Sequence, residues 1–192
     1  MSQDEARFEM VPTLARTLGV KGARPVVGTR DCKDKVYAFG ALDLVTGRLV
    51  SRLVPSTARA RRRDGSSKTR RLQALFARHV ADVARAYPAI RYRRVVLTID
   101  NAPWHRGAAL DDVLARNPHL ELYRLPSYSP DLNVIERLWR LLRARATHNR
   151  LFETVHALRT TLRRALTRFQ RRKRKLLPLI GTCRWRPTSV AA

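Results

Sequence analysis

"RVVLTIDNAPWH", residues 94–105, decides how this chain is read. Its β-branched run lacks the polar alternation of a half-exposed strand and has the pattern of a central strand buried on both faces. The run stops on Asp100, and Asn101, Pro103, Trp104 and His105 follow. Acids are scarce here: 15 Asp and Glu stand against 40 Lys and Arg. A carboxylate ending a buried strand is therefore conspicuous. Ligand sites of α/β sheets gather at the carboxyl ends of strands. A cap for the following turn is the competing reading, and Asp100 alone does not choose between them.

Working outward, "KVYAFGALDLVTGRLVSRLV" (35–54) places β-formers on both sides of Thr46-Gly47 and predicts a two-stranded hairpin. "QDEARFEMV" predicts a short strand before it. Residues 55–71 hold seven basic residues, one acid and a Gly-Ser step, and read as a mobile loop open to a phosphate backbone. Leu72, Leu75, Phe76, Val80 and Val83 recur at helical spacing from Lys68 to Tyr87, and Pro88 is the stop. A short helix over 107–117 and a strand over 120–125 follow. "PSYSP" (126–130) is a turn in which Ser129 suits an N-cap, Pro130 the first helical position and Asp131 the helix dipole. The next helix carries Leu132, Ile135, Trp139 and Leu142 on one face. A last helix runs from about Phe152 to Lys175. Antiparallel strands followed by strand–helix alternation predict an α/β fold, a mixed sheet with helices on both faces.

The formal net charge is +25. Such an excess points to a polyanionic partner, most simply nucleic acid. Cys32 and Cys183 form no CxxC pair, which argues against a zinc ribbon or a disulfide framework. No apolar run approaches the ~20 residues of a membrane span, and "MSQDEARFEM" has no signal-peptide core. The expectation is a cytoplasmic, nucleoid-associated protein with no membrane partner.

Glu136 is the second notable acid, at the edge of an apolar helix face. An ion pair with Arg140 would be its ordinary use, worth about 0.3–0.5 kcal/mol. Two carboxylates at one sheet edge could instead hold hard divalent cations. In a basic protein the matching substrate is a phosphodiester, which paired metals cleave by stabilising both the attacking and the leaving oxygen.

"LTIDNAPWH" followed by "LPSYSPDLNVIERLW" resembles the DDE transposases of bacterial insertion sequences related to mariner elements. Thirty-five residues separate Asp100 from Glu136, in the family's range. Further similarity runs from "QDEARFEMVPTLARTLGVKGARP" to "HNRLFETVHALR". The first acid of that family stands in an Asp-Glu pair followed by an aromatic residue, which matches Asp4, Glu5 and Phe8. The residues alone would leave Asp31, Asp34 and Asp43 as rivals to Asp4, although Asp43 precedes a hairpin turn and has a structural use there.

The resemblance implies a ribonuclease H-like fold and DNA nicking followed by strand transfer, with two Mg²⁺ or Mn²⁺ ions held by Asp4, Asp100 and Glu136. Asn101, His105 and Asn133 match motif positions and are expected to support the site or position substrate. Arg61, Arg62, Arg63, Lys68, Arg70, Arg71, Arg137, Arg140 and Arg143 are expected to contact DNA phosphates. The expected partners are double-stranded DNA (transposon ends and target) and a second copy of the chain. Such enzymes also carry an N-terminal helix-turn-helix region, expected here from an upstream reading frame. Asp4 lies three residues after the start, so the first strand is expected to be truncated, as in a split element, an internal start or a decayed copy. Residues 1–148 are read as the catalytic domain and 149–192 as a basic helical extension packed on it. The alternative is an inactive remnant, or a basic nucleic-acid-binding protein without catalysis.

Overall fold

The computed structural model describes residues 1–18, 21–22, 25–29, 31–126 and 132–179. Five strands form one sheet: β1 (Ser2–Glu9), β2 (Lys35–Leu42), β3 (Leu49–Ser56), β4 (Val95–Ile99) and β5 (Leu120–Arg124). Their order is β3-β2-β1-β4-β5. The first three are antiparallel neighbours, whereas β1–β4 and β4–β5 are parallel. This is the mixed sheet that the element order predicts. The hairpin turn is built by Asp43, which accepts the N–H groups of Val45 and Thr46 at 2.8 and 3.1 Å. Gly47 supplies the positive φ of 70°.

Helices cover both faces. On one, α2 (Lys68–Ala86) and α3 (Ala108–Ala115) bury Leu72, Phe76, Val80 and Leu110 against Phe39, Leu97 and Ile99. On the other, α4 (Ile135–Ala146) and α5 (Val155–Arg171) bury Leu138, Leu142, Leu158 and Leu162 against Ala6, Phe8, Val36 and Leu42. Strand alternation explains the division, because successive residues of β1 and β2 point to opposite faces. Among the described residues, no helix is long and apolar enough to cross a membrane.

Several local expectations change. Residues 55–71 are not a loop throughout: α1 (Ala58–Asp64) lies inside them. Thr57 caps it by accepting the Ala60 N–H at 3.1 Å, and Gly65 ends it in the left-handed conformation. The basic composition hid a helix because Arg is a good helix former even without an apolar stripe. The last helical pattern is two helices, α5 and α6 (Lys173–Leu179), divided at Arg172. Helix α4 begins at Ile135, so Glu136 lies in its first turn, and Leu132 is 56% exposed rather than on the buried face. Ser129, Pro130 and Asp131 lie outside the described residues. In β4, Val95, Leu97 and Ile99 are buried but Val96 and Thr98 only partly so, because α4 and α5 pack over β1, β2 and β3. Strand β1, by contrast, lies where the sequence predicts a strand. It pairs along eight residues with β2, while its ladder with β4 starts at Met1 and Ser2.

Candidate active site

Register brings the first two acids together. Ser2 pairs with Thr98 in the parallel β1–β4 ladder. Two residues further along each chain stand Asp4 and, just past the end of β4, Asp100, close enough for the Asp100 charge to act on Asp4. Alternation turns Ser2, Asp4, Ala6 and Phe8 toward α4, and Gln3, Glu5 and Arg7 toward α2.

The start of α4 is pinned to β1. Ser2 Oγ donates to Asn133 Oδ1 at 2.6 Å and accepts the Ile135 N–H at 3.2 Å. Asn133 Nδ2 donates to the Gln3 carbonyl at 3.3 Å. Both side chains are buried. This clamp sets Glu136, one residue beyond Ile135, within electrostatic reach of Asp4. One helical turn on, Trp139 Nε1 donates to Asp4 Oδ2 at 3.1 Å. Room for that indole comes from Gly40, directly across the β1–β2 ladder from Asp4: a Cβ there would lie 2.7 and 2.8 Å from Trp139 ring carbons.

Asp100 is held from the other face. His105 Nδ1 contacts its Oδ1 at 2.9 Å, and the Ala102 N–H donates to the same oxygen at 2.9 Å. His105 Nε2 lies 2.9 and 3.2 Å from the two oxygens of Glu5. The ring is fully buried and packed on Phe76, with centroids 4.2 Å apart. A histidine between two carboxylates is held as imidazolium, with both nitrogens donating. Burial opposes the charge, yet the bonds to Asp100 and Glu5 prevail and push the pKa up to about 10. In return the His105 bond, with that from Ala102, holds Asp100 below its ordinary range against burial.

Asp4 moves the other way. Burial first, then the charges of Glu5, Asp100 and Glu136, push its carboxyl up to about 7. In a +25 protein this is a local concentration of negative charge. Arg143 balances it in part. Its guanidinium lies 5.2 Å from the Phe8 ring centroid, reaches the Arg7 carbonyl at 3.5 Å and interacts with Asp4 and Glu136. It is only partly buried, and so stands between the carboxylates and solvent.

These oxygen donors fit a hard divalent cation, whose charge would relieve the repulsion that raises Asp4. The side chains do not close a ready-made cage: among the described residues no three His, Cys, Asp or Glu converge as an ion-binding group. Asn101 instead ties the end of β4 to β5, donating to the Leu125 carbonyl at 2.8 Å.

A basic groove of about 870 Å³ runs between α1, α2 and the sheet, lined by Arg7, Lys35, Arg61, Lys68, Arg70, Arg71 and Arg78. It continues through Arg7, Tyr37, Lys68 and Leu72 into a smaller cleft bounded by Glu5 and Trp104. Arg61 and Arg71 are partly engaged already, by Asp34 at 3.9 Å and Asp64 at 3.3 Å. Arg62, Arg63, Lys68 and Arg70 are exposed, as are Arg137 and Arg140 on α4. Arg78 joins the groove from α2, beyond the basic stretch that composition alone draws attention to.

Sequence reasoning missed Ser2, Gly40, Glu5 as a contact residue and Trp139 as a partner of Asp4. For Glu5, adjacency to Asp4 was a usable signal, since neighbours on a strand serve opposite faces. Nothing local marks Gly40.

Residues 1–159 match the family model described as DDE superfamily endonuclease, and the chain belongs to that family. It is similar to the insertion element IS630 uncharacterized 39 kDa protein of Shigella sonnei, 29% identical over 77% of this chain and 38% of that protein. Its fold is that of the Mos1 mariner paired end complex, solved once with Mn and once with Mg. Each match has a TM-score of 0.59 at 20% identity, covering 95% of this chain and 53% of the Mos1 chain. The mixed sheet is thus the ribonuclease H-like one. The chain spans 38% of the IS630 protein and 53% of the Mos1 chain.

Proposed function

We propose that this chain is the catalytic domain of an insertion-sequence transposase, which nicks DNA at transposon ends and transfers the freed 3′ end to a target. The observation that carries the reading is the closeness of three acids from separate elements: the charges of Asp100, at the end of β4, and of Glu136, on the helix start that the Asn133 clamp pins to β1, both act on Asp4. Family membership and the relatives' link to an insertion element and to paired transposon ends support it.

Asp4, Asp100 and Glu136 would hold Mg²⁺ or Mn²⁺, two ions in this reading. When bound, such ions supply Lewis-acid stabilisation of the attacking and leaving oxygens of a phosphodiester. The residues of the chain do the rest. Trp139 steadies Asp4, His105 holds Asp100, and the basic groove and the exposed face of α4 hold phosphates. Contacts of that kind position DNA without reading its sequence. Two copies act together on paired ends, in line with the paired end complexes of the Mos1 relative. Recognition of terminal repeats belongs to a helix-turn-helix region beyond these residues.

The test is a nicking assay on DNA carrying the element's ends, with Mg²⁺ or Mn²⁺, on the protein joined to its end-reading region. Nicking that Asp100→Asn and Glu136→Gln both abolish is the expected result. DNA binding without nicking under either metal sinks the catalytic reading and leaves a remnant that only binds.

A further inference from the structure

We infer that Glu5 is a positioning residue for Asp100, acting through His105. The inference rests on the proposed role of Asp100 as a metal ligand. Three donors converge on the Glu5 carboxylate: Gln3 Nε2 at 3.0 Å and His105 Nε2 at 2.9 Å on Oε1, and Trp104 Nε1 at 3.1 Å on Oε2. The side chain is 7% exposed, so water is a poor substitute for it. Only a group that accepts on both oxygens satisfies this arrangement.

The consequence passes through the imidazole. His105 is wholly buried between Phe76 and Trp104, and its two nitrogens face one carboxylate on β1 and another at the end of β4. Glu5 holds it from behind, and the ring presents Nδ1 to Asp100. The Asp100 side chain is 50% exposed and would otherwise be held by the Ala102 N–H alone. The bonds from His105 and Ala102 both fall on Oδ1, which directs Oδ2 to the remaining work of the site. Glu5 thus acts from the α2 face on a ligand whose neighbour Asp4 faces α4. Partners that orient metal ligands in this way typically change metal affinity about 10–100-fold when removed.

Glu5→Gln tests this. The amide replaces one acceptor with a donor that faces another donor. Metal-free circular dichroism and thermal melting establish that the variant is folded. Mn²⁺ is then titrated by calorimetry, and the electron paramagnetic resonance line of bound Mn²⁺ is recorded, beside wild type and Asp100→Asn. The expected result is a Kd for Mn²⁺ raised about 10–100-fold with an altered line. Wild-type affinity and line shape in the folded variant overturn the inference. If Glu5→Gln does not fold, Glu5→Asp takes its place, keeping the charge but losing the reach to His105. If wild type and Asp100→Asn titrate alike, the metal reading itself fails, and metal-free crystal structures decide. There, an Asp100 carboxylate turned away from His105 in the Glu5 variant supports the inference. An unmoved one overturns it.

Discussion

Gly40 lies opposite Asp4 in the β1–β2 ladder, and the indole of Trp139 occupies the space a side chain there would take. One absent Cβ therefore joins the sheet, helix α4 and the first carboxylate of the site. Gly40→Ala must displace Trp139, which is 2% exposed and has little room to yield. Overpacking of this kind costs about 1–3 kcal/mol. Urea unfolding should show that loss, and Mn²⁺ affinity should fall with it as the indole donor moves away from Asp4. An unchanged midpoint and affinity would contradict the close packing.

Asn133 is expected to act through backbone placement. Asn133→Ala leaves Ser2 Oγ and the Gln3 carbonyl without their buried partner. The cost should be about 1–3 kcal/mol in chemical denaturation. Nicking should fall further than stability alone explains, because Glu136 is carried by the same helix start. Full activity in a destabilised variant would show that the clamp serves folding only.

The groove holds cations of two kinds, those paired with an acid and those open to a phosphate. Lys68→Ala, Arg70→Ala and Arg78→Ala together should weaken binding to any duplex and flatten the salt dependence, by about 0.9 in log–log slope for each phosphate the protein no longer neutralises. Arg61→Ala and Arg71→Ala should have smaller effects, since Asp34 and Asp64 already share their charge. Filter binding across a salt series measures both. Equal slopes for the two sets would move the DNA path elsewhere.

His79, beneath β2 on α2, gives an acid-sensitive contribution to stability. Burial lowers its pKa from 6.5 to about 4. Between those values the unfolded chain takes up a proton that the folded chain does not, so stability from this residue falls as pH drops through that window. His105 does not compete there: its folded pKa is raised, so its contribution is complete below 6.5 and is lost only as pH rises toward about 10. From pH 7 to 4.5, His79→Leu should gain about 2–3 kcal/mol relative to wild type. A constant difference across that range, in denaturation at each pH, would show that the ring is protonated in place.

Much of the fold was legible because its signals are local. Thr46-Gly47 marked the hairpin, the Leu72-to-Val83 spacing marked α2, and the apolar run to Ile99 marked β4. Helix α1 escaped because a basic stretch with no apolar stripe resembles a solvated loop, while its caps, Thr57 and Gly65, are single residues. The division of α5 from α6 escaped because the apolar spacing carries on toward Leu176 while the backbone breaks at Arg172.

By itself the sequence determined the order of the strands and most of the helices, the basic character and, through two motifs at a set spacing, the choice of Asp100 and Glu136 as candidate acids. Tertiary structure alone decided that Asp100 comes within electrostatic reach of Asp4, that Gly40 makes way for Trp139, and that Glu5 grips His105 rather than joining Asp4. The reason is physical. Periodicity assigns a residue to a face, but the group waiting on that face is set by strand register and helix packing, which join residues about a hundred positions apart, as Glu5 and His105 are.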